Sequence, residues 1–151
     1  MSELIQFRWV QGFHLNARNI LFGGQILAWV DEDCTMCAAN CCANEATLTT
    51  AGMDRINFYR PVKQGERLRF CYDICHVGNT SMTIQANVYN SVGELVFDGF
   101  STLVCINKEG KPTDIKPCLK IKALAAVEEH EGWEFVEYLR KERKLHPPPK
   151  R

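Results

Sequence analysis

The sequence predicts an α+β domain in which a curved antiparallel sheet of about five strands wraps around one long central helix. Three observations predict it. Residues 22 to 43 carry apolar side chains at helical spacing, whereas from about residue 49 to 107 the period falls to two. The period-two segments are joined by short turns, and hairpin connections make antiparallel neighbours. The helix reads as apolar around much of its circumference, so a sheet must curl around it to cover it.

Taken in order, "LIQFRWVQ" is the first strand. In the helix that follows, Ile26, Leu27, Val30, Cys34, Cys37, Ala38 and Cys41 fall within an arc about 120° wide, while Trp29 and Met36 lie on the other side. "TTAGMDRINFYRPV" is the second strand, stopped by Pro61. In "LRFCYDICHV" Leu68, Phe70, Tyr72 and Ile74 form the inward set, and His76 continues that alternation. "VGNTS" supplies Gly78 and Asn79 for a hairpin into "SMTIQANVY", where Met82, Ile84, Ala86 and Val88 point inward. "NSVGE" turns into the last strand, "ELVFDGFSTLVCIN".

After "NKEGKP" the composition shifts to a charged helical pattern interrupted at Gly132 and ending in "HPPPKR". The division is therefore residues 1–110 as the folded domain and 111–151 as a C-terminal helical extension with a basic, proline-rich end. A chain of 151 residues is one domain long and can bury about 70% of its unfolded surface. Eighteen basic residues balance eighteen acidic ones, which argues against nucleic acid or an anionic membrane as partner. The N-terminus has no signal-peptide pattern and no apolar run reaches about 18 residues, so a cytoplasmic location is expected. In that compartment the eight cysteines are expected as free thiols.

The chemistry is concentrated in "NARNILFGGQILAWVDED", residues 16 to 33. Gly23 and Gly24 fall where the helix begins, where backbone N–H groups lack acceptors and the helix dipole is positive. Glycine lets a ligand approach that backbone, and such donors can stabilise an oxyanion. About two turns on, Asp31 places a carboxylate on the flank of the apolar face, and Asn16 precedes the glycines as an amide that could orient water or a carbonyl. These are the parts for hydrolysing an acyl bond. Each also has a bland reading: a turn for Gly-Gly, a solvated edge residue for Asp31, a cap for Asn16.

The pattern N-x-x-x-x-x-F-G-G-x-x-L-x-x-x-D, carried by Asn16, Phe22, Gly23, Gly24, Leu27 and Asp31, resembles the signature of hotdog-fold acyl-CoA thioesterases, the branch of brain-type acyl-CoA hydrolase and its short bacterial relatives. "INFYRPVKQGE" resembles a second segment of that family through Phe58, Arg60, Pro61, Val62 and Gly65, and "VGNTSMTI" a third through Gly78, Thr80 and Ser81. The resemblance implies the hotdog fold and hydrolysis of acyl-CoA to free fatty acid and coenzyme A, with no cofactor and no metal. It implies a homodimer with sites at the interface, assembled into a hexamer as a trimer of dimers. Asp31 would be general base or nucleophile, Asn16 of the facing copy would position water or substrate, and the Gly23 and Gly24 amides would polarise the carbonyl. Arg60, Gly78, Thr80 and Ser81 would bind the coenzyme A portion. One departure is Asn19, where the family has glycine; asparagine is the residue that best tolerates the positive φ implied.

Other candidates are weaker. Cys34, Cys37 and Cys41 share one apolar helix face and read as core rather than as a metal cluster. His14 would serve a hydratase or dehydratase on the same fold, but the His-Phe-Pro-type motif is absent; His130 and His146 lie in the tail. A non-catalytic acyl-CoA sensor would need an output module that the sequence does not show.

Overall fold

The computed structural model describes residues 4–42, 47–115, 136–138 and 141. Strand β1 (Leu4–Trp9) leads through a short 3₁₀ turn (Gly12–His14) into helix α1 (Gly23–Cys41). Four strands follow: β2 (Thr47–Phe58), β3 (Arg67–Val77), β4 (Ser81–Tyr89) and β5 (Leu95–Ile106). They form one antiparallel sheet in the order β1-β3-β4-β5-β2, which leaves β1 and β2 as its edges.

The core lies between one sheet face and α1. The inward residues Leu68, Phe70, Tyr72, Ile74, Met82, Ile84, Ala86 and Val88 are buried, as alternation predicts for a half-covered sheet. Against them α1 presents Ile26, Val30, Asp33, Cys34, Cys37, Ala38 and Cys41. The helix is less enclosed than its apolar circumference suggested, because the sheet covers one side only and Met36 is 38% exposed.

Two of the four register shifts in the sheet bear on the expected strands. In β3 the pairing steps from Ile74↔Ile84 to His76↔Thr83, so Cys75 is the extra residue and His76 changes face. His76 therefore does not continue the inward set. It lies buried on the opposite face, where Nε2 is 2.7 Å from Oε1 of Glu137. Val136 packs there with Cys75 and Phe100, which places this short piece of the C-terminal extension on the outer face. The rest of the extension, with Gly132, His130 and His146, lies outside the described residues. In β2 the register shifts between Asp54 and Asn57, with Arg55 at φ 50°, and the strand bends before the chain leaves the sheet.

Seven cysteines are described, and no two of them are joined by a disulfide. No described helix is long and apolar enough to cross a membrane.

Candidate active site

The segment before α1 folds back on itself. Leu15 bridges Leu21, the Asn16 N–H donates to the Ile20 carbonyl at 2.9 Å, and the Asn19 N–H donates to the Asn16 carbonyl at 3.0 Å. Asn19 sits at φ 56°, in the left-handed region that makes asparagine a workable replacement for glycine. The Asn16 side chain holds this loop by accepting the Arg18 N–H at 2.8 Å and the Ile20 N–H at 3.4 Å on Oδ1. With Oδ1 engaged, its Nδ2 is left to donate outward.

The loop delivers the chain to α1 with Phe22 as N-cap and no side-chain cap on the helix. The N–H groups of Gly23 and Gly24 therefore face outward without an intrahelical acceptor. A side chain at either glycine would press on a neighbouring ring. A Cβ on Gly24 would lie 2.4 Å from the Phe22 ring, and one on Gly23 would lie 3.2 Å from the Phe58 ring. Beside them is an opening of about 380 Å³ lined by Asn16, Gly23, Ile26, Phe58, Arg60 and others. Arg60, which lines the opening, lies 3.5 Å from Glu94, with both side chains about half exposed.

Asp31 is not in this opening. Eight residues beyond Gly23, it lies about 12 Å further along the helix axis. Its carboxylate faces the β2 edge, where Thr50 Oγ1 donates to Oδ1 at 2.5 Å. The Thr35 hydroxyl donates to its backbone carbonyl at 3.0 Å. Gly78, Thr80 and Ser81 lie at the far end of the sheet, in the β3–β4 turn closed by Gly78 N–H donating to the Ser81 carbonyl at 2.7 Å. One chain thus brings together Asn16, Gly23, Gly24 and Arg60, and holds Asp31, Gly78, Thr80 and Ser81 away from them.

Two residues escaped sequence reasoning. Thr50, the direct partner of Asp31, gives no local signal because the contact joins residues 19 positions apart on different elements. Asp33 did give one: it is spaced with Ile26, Val30 and Cys37 in the apolar stripe, and it is fully buried. Its Oδ1 accepts from Arg8 Nη2 at 2.5 Å and its Oδ2 from the Tyr72 hydroxyl at 2.7 Å. Burial pushes the Asp33 carboxyl up, against the Tyr72 hydroxyl and the Arg8 charge that pull it down. Arg8 in turn lies 5.6 Å from the ring centroids of both Trp29 and Phe70.

His14 does not line the opening. Its Nδ1 accepts the Gln11 N–H at 3.0 Å, and its ring meets Trp29 edge-on with centroids 4.8 Å apart. Among the described residues no group of three or more His, Cys, Asp or Glu side chains is arranged to hold a metal ion.

Comparison with known proteins agrees with this architecture. The family model of the thioesterase superfamily matches residues 18–97, and the chain belongs to that superfamily. Its sheet and helix are those of the hotdog-fold acyl-CoA thioesterases. The Bacillus subtilis protein YkhA, named an uncharacterized acyl-CoA thioester hydrolase, is 28% identical over 76% of this chain and 68% of its own length. A similarly named Zymomonas mobilis protein is 27% identical over 73% of this chain and 76% of its own. Among solved structures, an apo-hexameric acyl-CoA thioesterase superposes with a TM-score of 0.75 at 26% identity, covering 93% of this chain and 92% of that one. The acyl-CoA hydrolase of Staphylococcus aureus, solved with butyryl coenzyme A and coenzyme A, gives 0.72 at 21% identity over 95% and 88%. That enzyme has also been solved as aspartate-to-alanine, asparagine-to-alanine and threonine-to-alanine variants.

Proposed function

We propose that the protein hydrolyses acyl-CoA to a free fatty acid and coenzyme A at a site shared by two copies of the chain. The observation that carries this reading is the separation of its parts. A thioester carbonyl held by the Gly23 and Gly24 N–H groups is out of reach of Asp31 on the same helix, yet Asp31 faces the open edge strand β2. Two copies pairing β2 to β2 around a two-fold axis run antiparallel, so Asp31 of one chain meets Asn16 and the glycines of the other. The same pairing carries the Gly78–Ser81 turn toward the partner's Arg60, making a channel for the coenzyme A portion. An exposed strand edge is itself a reason to dimerise.

In such a site Asp31 acts as base for a water, or as nucleophile, at the thioester carbon. The developing oxyanion accepts the glycine N–H bonds, the C–S bond breaks, and the thiolate leaves and takes up a proton. Asn16 Nδ2 donates to the water or the carbonyl, and Thr50 holds one carboxylate oxygen so that the other is aimed. No cofactor is used; coenzyme A is part of substrate and product. The asparagine and aspartate substituted in the S. aureus enzyme stand fifteen positions apart, as Asn16 and Asp31 do, which supports their assignment. The hexameric neighbours support assembly of the dimers into a trimer of dimers.

The test is release of free thiol from short, medium and long acyl-CoA, read with a thiol reagent against a substrate-free control that subtracts the protein's own cysteines. Steady release that persists in chelator is expected. No release from any chain length would overturn the reading in favour of a hydratase or a sensor.

A further inference from the structure

The end of the sheet that carries the opening carries a second cleft on its other, outer face. This cleft, about 470 Å³, is walled by Phe7 of β1, Arg67 and Arg69 of β3, and Ser91, Val92 and Gly93 in the β4–β5 turn. Arg67 and Arg69 flank the inward-facing Leu68, so both side chains project away from α1. They stand two residues apart on one strand face, about 6.6 Å along the backbone. Each is ordered by a ring: Arg67 lies 5.4 Å from the centroid of Phe7, and Arg69 lies 5.0 Å from that of Tyr89.

Stacking on a ring fixes a guanidinium without neutralising it, and leaves its N–H edge free to donate. Among the described residues neither arginine forms an ion pair. The turn does contain a carboxylate, but Glu94 is directed to Arg60 at 3.5 Å and to Asn90 Nδ2 at 2.9 Å. Two unpaired cations side by side repel one another unless an anion bridges them, and a phosphate matches the guanidinium fork. Beside them is exposed apolar surface: Phe7 at 56%, Trp9 at 59% and Val92 at 78%. Phosphate recognition next to a flat apolar wall fits a nucleotide.

The β4–β5 turn is the partition between the two clefts. Through Glu94 it grips Arg60 at the opening, and through Ser91, Val92 and Gly93 it walls the outer cleft. We propose that the outer cleft binds the phosphates of a nucleotide, and that this nucleotide is the far end of the coenzyme A whose thioester occupies the opening. The second half rests on the function proposed above.

Calorimetric titration of the full-length protein with coenzyme A and with pantetheine, which lacks the nucleotide, tests it. Arg67→Gln with Arg69→Gln should weaken coenzyme A binding by about 10- to 100-fold and flatten its salt dependence, leaving pantetheine affinity unchanged. Both side chains are exposed, so the fold is not at stake. Unchanged coenzyme A affinity, or an equal loss for pantetheine, would overturn the cleft and leave an ordinary cross-strand arrangement on a solvated face. ADP that is displaced by coenzyme A supports the shared ligand; ADP held by the two arginines without displacement would overturn the assignment to coenzyme A. Failure of thiol release would sink the hydrolase reading separately, because these titrations do not depend on turnover.

Discussion

Two of the three carboxylates of helix α1, Asp31 and Asp33, lie two residues apart, and their surroundings are opposites. Asp31 sits half-buried at the open edge of the sheet with one side-chain hydroxyl, that of Thr50, on its carboxylate. Asp33 is sealed in the core with a cation and a phenol on its two oxygens. At 100° per residue the two point to nearly opposite sides of the helix, so one strand edge and one core wall each receive a charge. A buried ion pair seldom adds net stability over apolar packing, but breaking one is costly. Asp33 therefore fixes α1 against β1 and β3, and the rotation it fixes presents Asp31 at β2. Equal chemistry at the two positions leads to different work because one has a vacant side and the other has none.

Substitutions should separate the two. The largest effect is expected from Asp31→Asn, which should lower turnover by about 100- to 10,000-fold while the melting temperature barely moves. Wild-type turnover in that variant would end the catalytic assignment. Arg8→Met should do the reverse at its own end of the helix. Leaving the Asp33 carboxylate without its cation should cost about 3–5 kcal/mol of stability by denaturant unfolding. A loss under about 1 kcal/mol would mean that Asp33 is not the anchor described.

Asp33 also gives stability a pH dependence. A carboxyl whose folded pKa lies above its unfolded value binds a proton on folding, so its contribution is complete below the unfolded value of 3.8 and is lost as pH rises through the folded value. Wild type should thus lose stability relative to Asp33→Asn as pH climbs from 3.8. A difference that grows with pH would mean that Arg8 and Tyr72 outweigh burial. The smallest effect is expected at Thr50→Val, about tenfold in kcat with KM and stability little changed, since one hydroxyl bond to a charged group is lost.

Much of this was legible in the sequence, for identifiable reasons. Strand β4 coincides with the "SMTIQANVY" alternation because a turn bounds each end and every second residue is apolar. The limits of α1 follow from the glycines and the apolar stripe, and positive φ at Asn19 was implied by the resemblance, whose glycine an asparagine can replace. The β3 bulge was not legible: Cys75 and His76 suit either face, so nothing in the pattern marks the change of phase. The 3₁₀ turn at Gly12–His14 is too short to leave a period. Asp33 was legible and passed over, since a carboxylate spaced with Ile26, Val30 and Cys37 requires a cation, and Arg8 alternates with Leu4 and Gln6 on β1. The relation between Asn16 and Asp31 could not be read from one chain, because in the proposed site the two meet across two copies.

That meeting is open to a direct measurement. Asp31→Asn and Asn16→Ala, each inactive alone, are unfolded together, refolded and assayed for thiol release. If a site draws Asp31 from one chain and Asn16 from the other, each mixed dimer contains one intact site, and random pairing restores roughly a quarter of wild-type activity. Properly re-formed mixed dimers with no activity above either parent would place both residues in the same protomer's site and contradict the shared-site account.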